Sequence, residues 1–315
     1  MYISTPLISI LAIASTTQAL QVSDVQASAA EAKRTVGSIV SGVVDKLTNR
    51  QNTCPLVWKE ISTTLTAQFL ADGQCTDAAR AAIRAAFHDC FNGACDGSLI
   101  LANECSNSEN VGLERLCSNL GSLATEKQVG VADLIQFAAA HAIKTCPGGP
   151  TVPAKVGRKD SNTANALGIL PSGNAKAADL IKLFASKGFS AIDLTALIGA
   201  HSTAKQRVTD PSRAGASMDS TPGQWDTKFY SETLKGTAPF TLQSDKNLAN
   251  SLVTTLPFKT FAASQAAWSA AFVPAMTKMS MLGVSGKLVD CTSALPGGSS
   301  KRDVKRSSMF ERLGW

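Results

Sequence analysis

Eight cysteines, Cys54, Cys75, Cys90, Cys95, Cys105, Cys117, Cys146 and Cys291, constrain this 315-residue chain more than any other feature. An even cysteine count behind an export signal reads as a disulfide framework closed in an oxidising compartment. Residues 1–19 supply that signal: Pro6 to Ala14 is apolar but too short to span a bilayer, and Thr17-Gln18-Ala19 is a small-residue cleavage site. Residues 20–34 are polar and alanine-rich and end in Lys33-Arg34, which suggests a removable pro-segment. Four bridges are expected, and spacing alone leaves their pairing open. Zinc would compete for the same thiols, but the CxxC pairs that usually build a zinc site are absent, the closest spacing being Cys90 to Cys95.

With 44% hydrophobic residues, the chain can bury one large core or two lobes meeting at a cleft. Apolar spacing near 3.6 predicts helices over Leu56 to Ala71, Asp77 to Phe91, Leu113 to Glu126, Val131 to Thr145, Ala175 to Ser186, Ala191 to Ala204, Lys246 to Thr254 and Phe258 to Leu282. Strand signals are scarce, so the expected fold class is all-α. The linker Gly148 to Gly173, rich in proline and glycine at its start, marks a boundary between an N-terminal lobe, 50–148, and a C-terminal lobe, 149–292. The stretch from His201 to Lys246 reads as irregular and, by its length, functional. The formal charge of +6 is no surface patch: Lys301, Arg302, Lys305, Arg306 and Arg312, against Asp303 and Glu311, place half of it in the tail 293–315. Nucleic acid is therefore not an expected partner.

Only three histidines occur. In Arg84-Ala85-Ala86-Phe87-His88-Asp89-Cys90, helical spacing puts Arg84 and His88 one turn apart on the same face, with Phe87 beside them. A base and a fixed cation at one spot suit heterolysis of an O–O bond. The imidazole moves a proton from the near oxygen to the far one, while the guanidinium steadies the departing charge. An isolated pair of this kind is more often a surface arginine beside a half-buried histidine, but the following residues shift the balance. Asp89, Asp96 and Ser98 offer closely spaced oxygens in a loop bracketed by Cys90 and Cys95, as calcium requires. Glu104 and Asn110 are candidates to fix the tautomer of His88.

Around His201, Ser190 and Asp193 form a candidate capping box, and Leu194, Leu197, Ile198 and His201 follow at i, i+3, i+4 and i+7. His201 thus falls on the buried stripe. Beside it Ser202, Asp219, Thr221 and Asp226 outline a second oxygen-rich loop, so an iron or haem ligand is expected rather than a packing histidine. Asp245 is expected to accept the other N–H of His201, although an exposed helix cap is equally compatible with its sequence context. His141, with no charged neighbour at helical spacing, is assigned to packing.

These segments resemble the plant and fungal haem peroxidase superfamily, above all its secreted fungal branch, from about Cys54 to Cys291. The resemblance is carried by Arg84-x-x-Phe87-His88-Asp89-Cys90, Asn110-Val111-Gly112-Leu113, Val156-Gly157-Arg158-x-Asp160, Gly199-Ala200-His201-Ser202 and Gln243-Ser244-Asp245, in the family's order. It implies a two-lobed helical fold with one haem b between distal and proximal lobes. Arg84 and His88 would be the distal catalysts, Phe87 distal packing and Asn110 the acceptor orienting His88; His201 would ligate iron and Asp245 would support it. It also implies two calcium ions. Asp89, Asp96 and Ser98, with carbonyls near Asn92 and Ala94, would hold one; Ser202, Asp219, Thr221 and Asp226, with a carbonyl near Gln224, the other. The implied bridges are Cys75–Cys146, Cys54–Cys291, Cys105–Cys117 and Cys90–Cys95, the last resembling plant-type secreted members rather than fungal ones.

Manganese-oxidising members place acids eleven and seven residues before the distal histidine and six after the proximal one; here these are Asp77, Ala81 and Arg207. Members that oxidise bulky aromatics carry a surface tryptophan five residues before the proximal histidine, where this chain has Ala196. Trp225, in the second loop, and Trp268, on an apolar helix, read as packing residues. The resemblance therefore implies a secreted, monomeric enzyme without a membrane span that takes hydrogen peroxide and small phenolic donors. Its rivals are a manganese peroxidase with a displaced site and a silent interaction module stapled by disulfides and calcium.

Overall fold

The computed structural model describes residues 53–297, so the signal peptide, the pro-segment and most of the basic tail lie outside the described residues. These residues are predominantly helical. In chain order the helices are α1 (Val57–Phe69), α2 (Asp77–Asn92), α3 (Ser98–Leu101), α4 (Glu114–Lys127), α5 (Val131–Thr145) and α6 (Ala177–Ser186). They continue with α7 (Ala191–Ile198), α8 (Lys228–Lys235), α9 (Gln243–Asn250), α10 (Thr255–Ala263) and α11 (Gln265–Met279).

The first layer of packing follows from periodicity. In α1, Trp58, Ile61, Leu65 and Phe69 are buried at helical spacing. Thr76 starts α2 by accepting a hydrogen bond from the Ala79 N–H, which satisfies one of the free amides of the first turn. Helix α5 is buried nearly all round and is rich in alanine, so α1, α2 and α4 can all pack against it. The motif from Val156 to Asp160 clamps the start of this central helix. Asp160 accepts the Val131 and Ala132 N–H groups at 2.9 Å each, while Asp133 accepts the Gly157 and Arg158 N–H groups and pairs with the Arg158 guanidinium at 3.0 Å.

Four disulfides hold the described residues: Cys54–Cys291, Cys75–Cys146, Cys90–Cys95 and Cys105–Cys117. The first spans 237 residues and is reinforced by a two-stranded antiparallel ribbon, Lys155–Val156 with Val289–Asp290. A loop of that length corresponds to about 5 kcal/mol of denatured-chain entropy in the simplest model.

Three expectations are corrected. The helix read over Phe258 to Leu282 is two, α10 and α11, because Ser264 turns extended and caps the second with its hydroxyl on the Ala267 N–H. The stretch from His201 to Lys246 contains α8, and the helix predicted from Lys246 begins at Gln243. The helix read over Ala191 to Ala204 is α-helical only to Ile198 and then tightens into a 3-10 turn, Gly199–Thr203. Two aromatic donors take carbonyls at its end: Tyr230 Oη donates to Thr195 at 2.8 Å and Trp268 Nε1 to Ala196 at 2.9 Å. This close approach leaves no room at Gly199, where a Cβ would lie 2.3 Å from Tyr230 Oη and 2.5 Å from the Trp268 indole. Gly199→Val is expected to cost about 1–3 kcal/mol, by analogy with overpacked cores, read as a lower urea midpoint; an unchanged midpoint would show that the turn tolerates the bulk.

Candidate active site

His88 sits in the last third of α2 with its base nitrogen free of a proton. Its Nδ1–H donates to Asn110 Oδ1 at 2.5 Å, and Arg84 Nε donates to its Nε2 at 3.1 Å. That pattern requires the neutral imidazole with the lone pair on Nε2. Burial first, and then the Arg84 charge, lower its pKa from 6.5 to about 3, against the opposing pull of Asn110. Asn110 is itself fixed, donating from Nδ2 to the Glu104 carbonyl at 2.8 Å. Arg84 is held by the Val111 and Glu109 carbonyls at 2.8 Å each. Phe87 stacks on Phe91, with ring centroids 4.7 Å apart, and forms the apolar flank.

His201 reaches the same region from the 3-10 turn. Its Nδ1–H donates to Asp245 Oδ2 at 3.0 Å, and Nε2 has no partner among the described residues. Burial favours the neutral ring, but the Asp245 charge and hydrogen bond outweigh it and raise the pKa above 6.5. Asp245 is buried, which removes the exposed-cap reading. Phe229 stands edge-on to the imidazole, with centroids 5.5 Å apart. The Arg84 charge also acts on His201, in the direction that lowers its pKa. A neutral imidazole beside a guanidinium, and a second imidazole braced by a carboxylate with its Nε2 unpartnered among the described residues, form a donor set suited to a peroxide and to a haem iron.

Each histidine is followed by an oxygen-rich loop. After His88, Asp89 accepts the Gly97 and Leu99 N–H groups at 3.3 Å each, and Asp96 accepts the Ser98 N–H at 3.1 Å. Burial, with help from the Asp96 and Glu104 charges, lifts the Asp89 carboxyl from 3.8 to about 8. After His201, Ser202 Oγ donates to the Gln224 carbonyl and accepts the Asp226 N–H, both at 3.2 Å, while Thr221 Oγ1 donates to Asp226 Oδ2 at 2.9 Å. Asp219 Oδ2 is buried without a partner, and burial with the Asp226 and Glu232 charges raises this carboxyl from 3.8 to about 7. Buried carboxyls crowded by like charge are the environment a cation relieves. No cluster of three His, Cys, Asp or Glu side chains occurs among the described residues, so a cation here would rely on hydroxyl and carbonyl oxygens as well.

Asn165 was not legible as a site residue. Its Nδ2 donates to Ser98 Oγ at 2.9 Å and its backbone N–H to Glu104 Oε1 at 2.8 Å, so it links the first loop to the His88 support. Nothing local in the sequence marks it. At the position of the manganese-binding acids, Asp77 is engaged by Arg80 at 2.6 Å and Lys205 at 3.1 Å. Slight burial opposes its ionisation, but those hydrogen bonds prevail and hold the carboxyl below its ordinary range. Trp225 and Trp268 are both buried and stack with centroids 4.9 Å apart, as packing residues do.

The helical fold and the two braced histidines are those of a haem peroxidase, and comparison with known proteins agrees. The family model described as "Peroxidase" matches residues 59–264, and this chain belongs to that family. It is 32% identical over 79% of its length to the "Low-redox potential peroxidase" of Taiwanofungus camphoratus, covering 84% of that protein. It is 28% identical to "Manganese peroxidase 3" of Phlebia radiata, with 76% of this chain and 79% of that one aligned. Identity to the "Peroxidase" of Arthromyces ramosus is also 28%, over 78% and 76% of the two chains. Membership implies haem, calcium, hydrogen peroxide and a reducing substrate. Among the described residues no single helix is long and apolar enough to cross a membrane.

His141 is buried in α5, where Nε2 meets the Ser62 carbonyl at 2.9 Å. Burial lowers its pKa from 6.5 to about 4. The unfolded chain therefore binds a proton that the folded chain refuses, so this contribution is complete above pH 6.5 and is lost as the pH falls toward 4. His141→Gln is expected to flatten the decline of the urea midpoint in that window; an identical slope in both proteins would remove His141 from the acid response.

Proposed function

We propose that the protein is a secreted, monomeric haem b peroxidase with two calcium ions. It uses hydrogen peroxide to oxidise phenols and similar small aromatic donors by one-electron steps at the haem edge. The observation that carries this reading is the neutral His88 ring, whose bond to Asn110 leaves the lone pair on Nε2, beside the Arg84 guanidinium. His201 would hold the haem, which would supply the redox capacity to take two oxidising equivalents from peroxide and pass them singly to donors. His88 Nε2 accepts the proton of the nearer peroxide oxygen and delivers it to the farther one. Arg84 turns its charge onto the departing oxygen, and Phe87 keeps the flank apolar. Asp245 holds the His201 N–H and makes the ring a stronger electron donor.

Residues 50–148 would form the distal lobe and 149–292 the proximal one. Asp89, Asp96 and Ser98 would hold one calcium; Ser202, Asp219, Thr221 and Asp226 the other. Manganese oxidation is disfavoured by the engagement of Asp77 with two cations and by Ala81, which offers no ligand. At the tryptophan position Ala196 is fully buried, which favours direct oxidation of small donors.

The primary test is the Soret band of purified, haem-supplemented protein with one equivalent of peroxide and then a phenol. A rapid shift that the phenol reverses is expected; a missing band, or one indifferent to peroxide, would favour the interaction module. His88→Leu should slow the peroxide step by about 100-fold or more, the scale of a lost general base, and a change within about threefold would reassign the base. EDTA should lower thermal stability and loosen both histidine sites, with calcium restoring them; an unchanged melting temperature would remove the calcium assignment.

A further inference from the structure

Arg84 has a second guanidinium for a neighbour. Arg207, shortly after the His201 turn, is exposed, and its guanidinium has no hydrogen bond or ion pair among the described residues. Its stem lies across Gly112, where a Cβ would fall 2.5 Å from Arg207 Cδ and 3.0 Å from Nε. The carbonyl just before Gly112, that of Val111, is the one that accepts Arg84 Nη1 at 2.8 Å. Two guanidiniums therefore bracket a single peptide unit, Arg84 at its carbonyl and Arg207 across Gly112. Burial first, and then the Arg207 charge, lower the Arg84 pKa from 12.5 to about 10, against the opposing charge of Glu114.

Glu114 Oε2 accepts the Gly112 N–H at 2.8 Å, and Lys205 and Arg80 are spent on Asp77. Beside Arg207 and Gly112, Val208 and Val111 are 50% and 42% exposed, an apolar surface for a ring next to the free guanidinium. A carboxylate on an aromatic donor meets both features, since Arg forms charge-assisted, two-pronged bonds to carboxylates. A haem propionate has the same carboxylate chemistry, and the apolar flanks fit the ring of an aromatic donor beside it.

Building on the peroxidase reading above, we infer that Arg207 is a docking residue for the carboxylate of anionic aromatic donors, selecting them over neutral ones of the same ring. The test titrates the holoprotein, at low salt, with 4-hydroxycinnamate and with its methyl ester, following the Soret perturbation at equilibrium. Wild-type protein should bind the acid about tenfold more tightly than the ester, the scale of one exposed charge-assisted bond, and the preference should shrink as salt is added. Arg207→Gln should bring the Kd of the acid to that of the ester, and Arg207→Lys should restore part of the gap. Equal binding of acid and ester by wild type, or a preference that survives Arg207→Gln, would overturn the inference. So would faster haem transfer from Arg207→Gln to apomyoglobin with the donor preference intact, which would assign the guanidinium to a propionate. A protein that lacks a peroxide-responsive Soret band fails the broader reading instead, whereas one that responds to peroxide without preferring the acid fails only this inference.

Discussion

The rest of the site depends on the hydrogen bond that holds the His201 Nδ1–H on the buried Asp245 carboxylate and leaves Nε2 for another partner. The groups around the ring keep it in that setting. Asp245 takes the opposite N–H, Tyr230 and Trp268 cap the carbonyls of the preceding helix, and Phe229 walls the ring edge. The α-helix tightens into a 3-10 turn after Ile198, so the helical spacing that would put His201 on the apolar stripe ends before it. His88 is braced in the same manner, by Asn110 and, behind it, the Glu104 carbonyl.

The two halves share a device. The residue after each histidine, Asp89 in one case and Ser202 in the other, is tied by hydrogen bonds into a loop of buried oxygens. Loop and imidazole are adjacent on one backbone, so the loop restricts the ring through covalent geometry rather than through contact. Loss of order in either loop would move a histidine first and the core later.

Much of this was legible because it is local. Arg84 and His88 one turn apart, the capping box of Ser190 and Asp193, and Asp245 within a short motif are all readable from spacing, and each of the three pairs is hydrogen-bonded in the structure, Asp245 to His201. The helix break at Ser264 was hidden because apolar residues continue at helical spacing through both α10 and α11. Helix α8 was hidden by the proline- and glycine-rich sequence around its eight residues. Asn165 behind Glu104 and Lys205 on Asp77 could not be read at all, since each meets its partner across 61 or more residues and nothing in the sequence announces the meeting. Resemblance named the motif from Val156 to Asp160, but only the packed structure supplies its reason, a double carboxylate clamp on the start of α5.

The bridge between Cys54 and Cys291 bears on the order in which this chain can be completed. Three of the four bridges join cysteines between Cys75 and Cys146, so they can close while synthesis is still under way. Cys54 emerges before all of them, yet its partner arrives 237 residues later. It must wait as a lone thiol while six other cysteines pass. Completion of this bridge therefore calls for early folding that shields Cys54 or an isomerase that repairs its mispairings, and the longer that first thiol stays unclaimed the more chances it has to mispair.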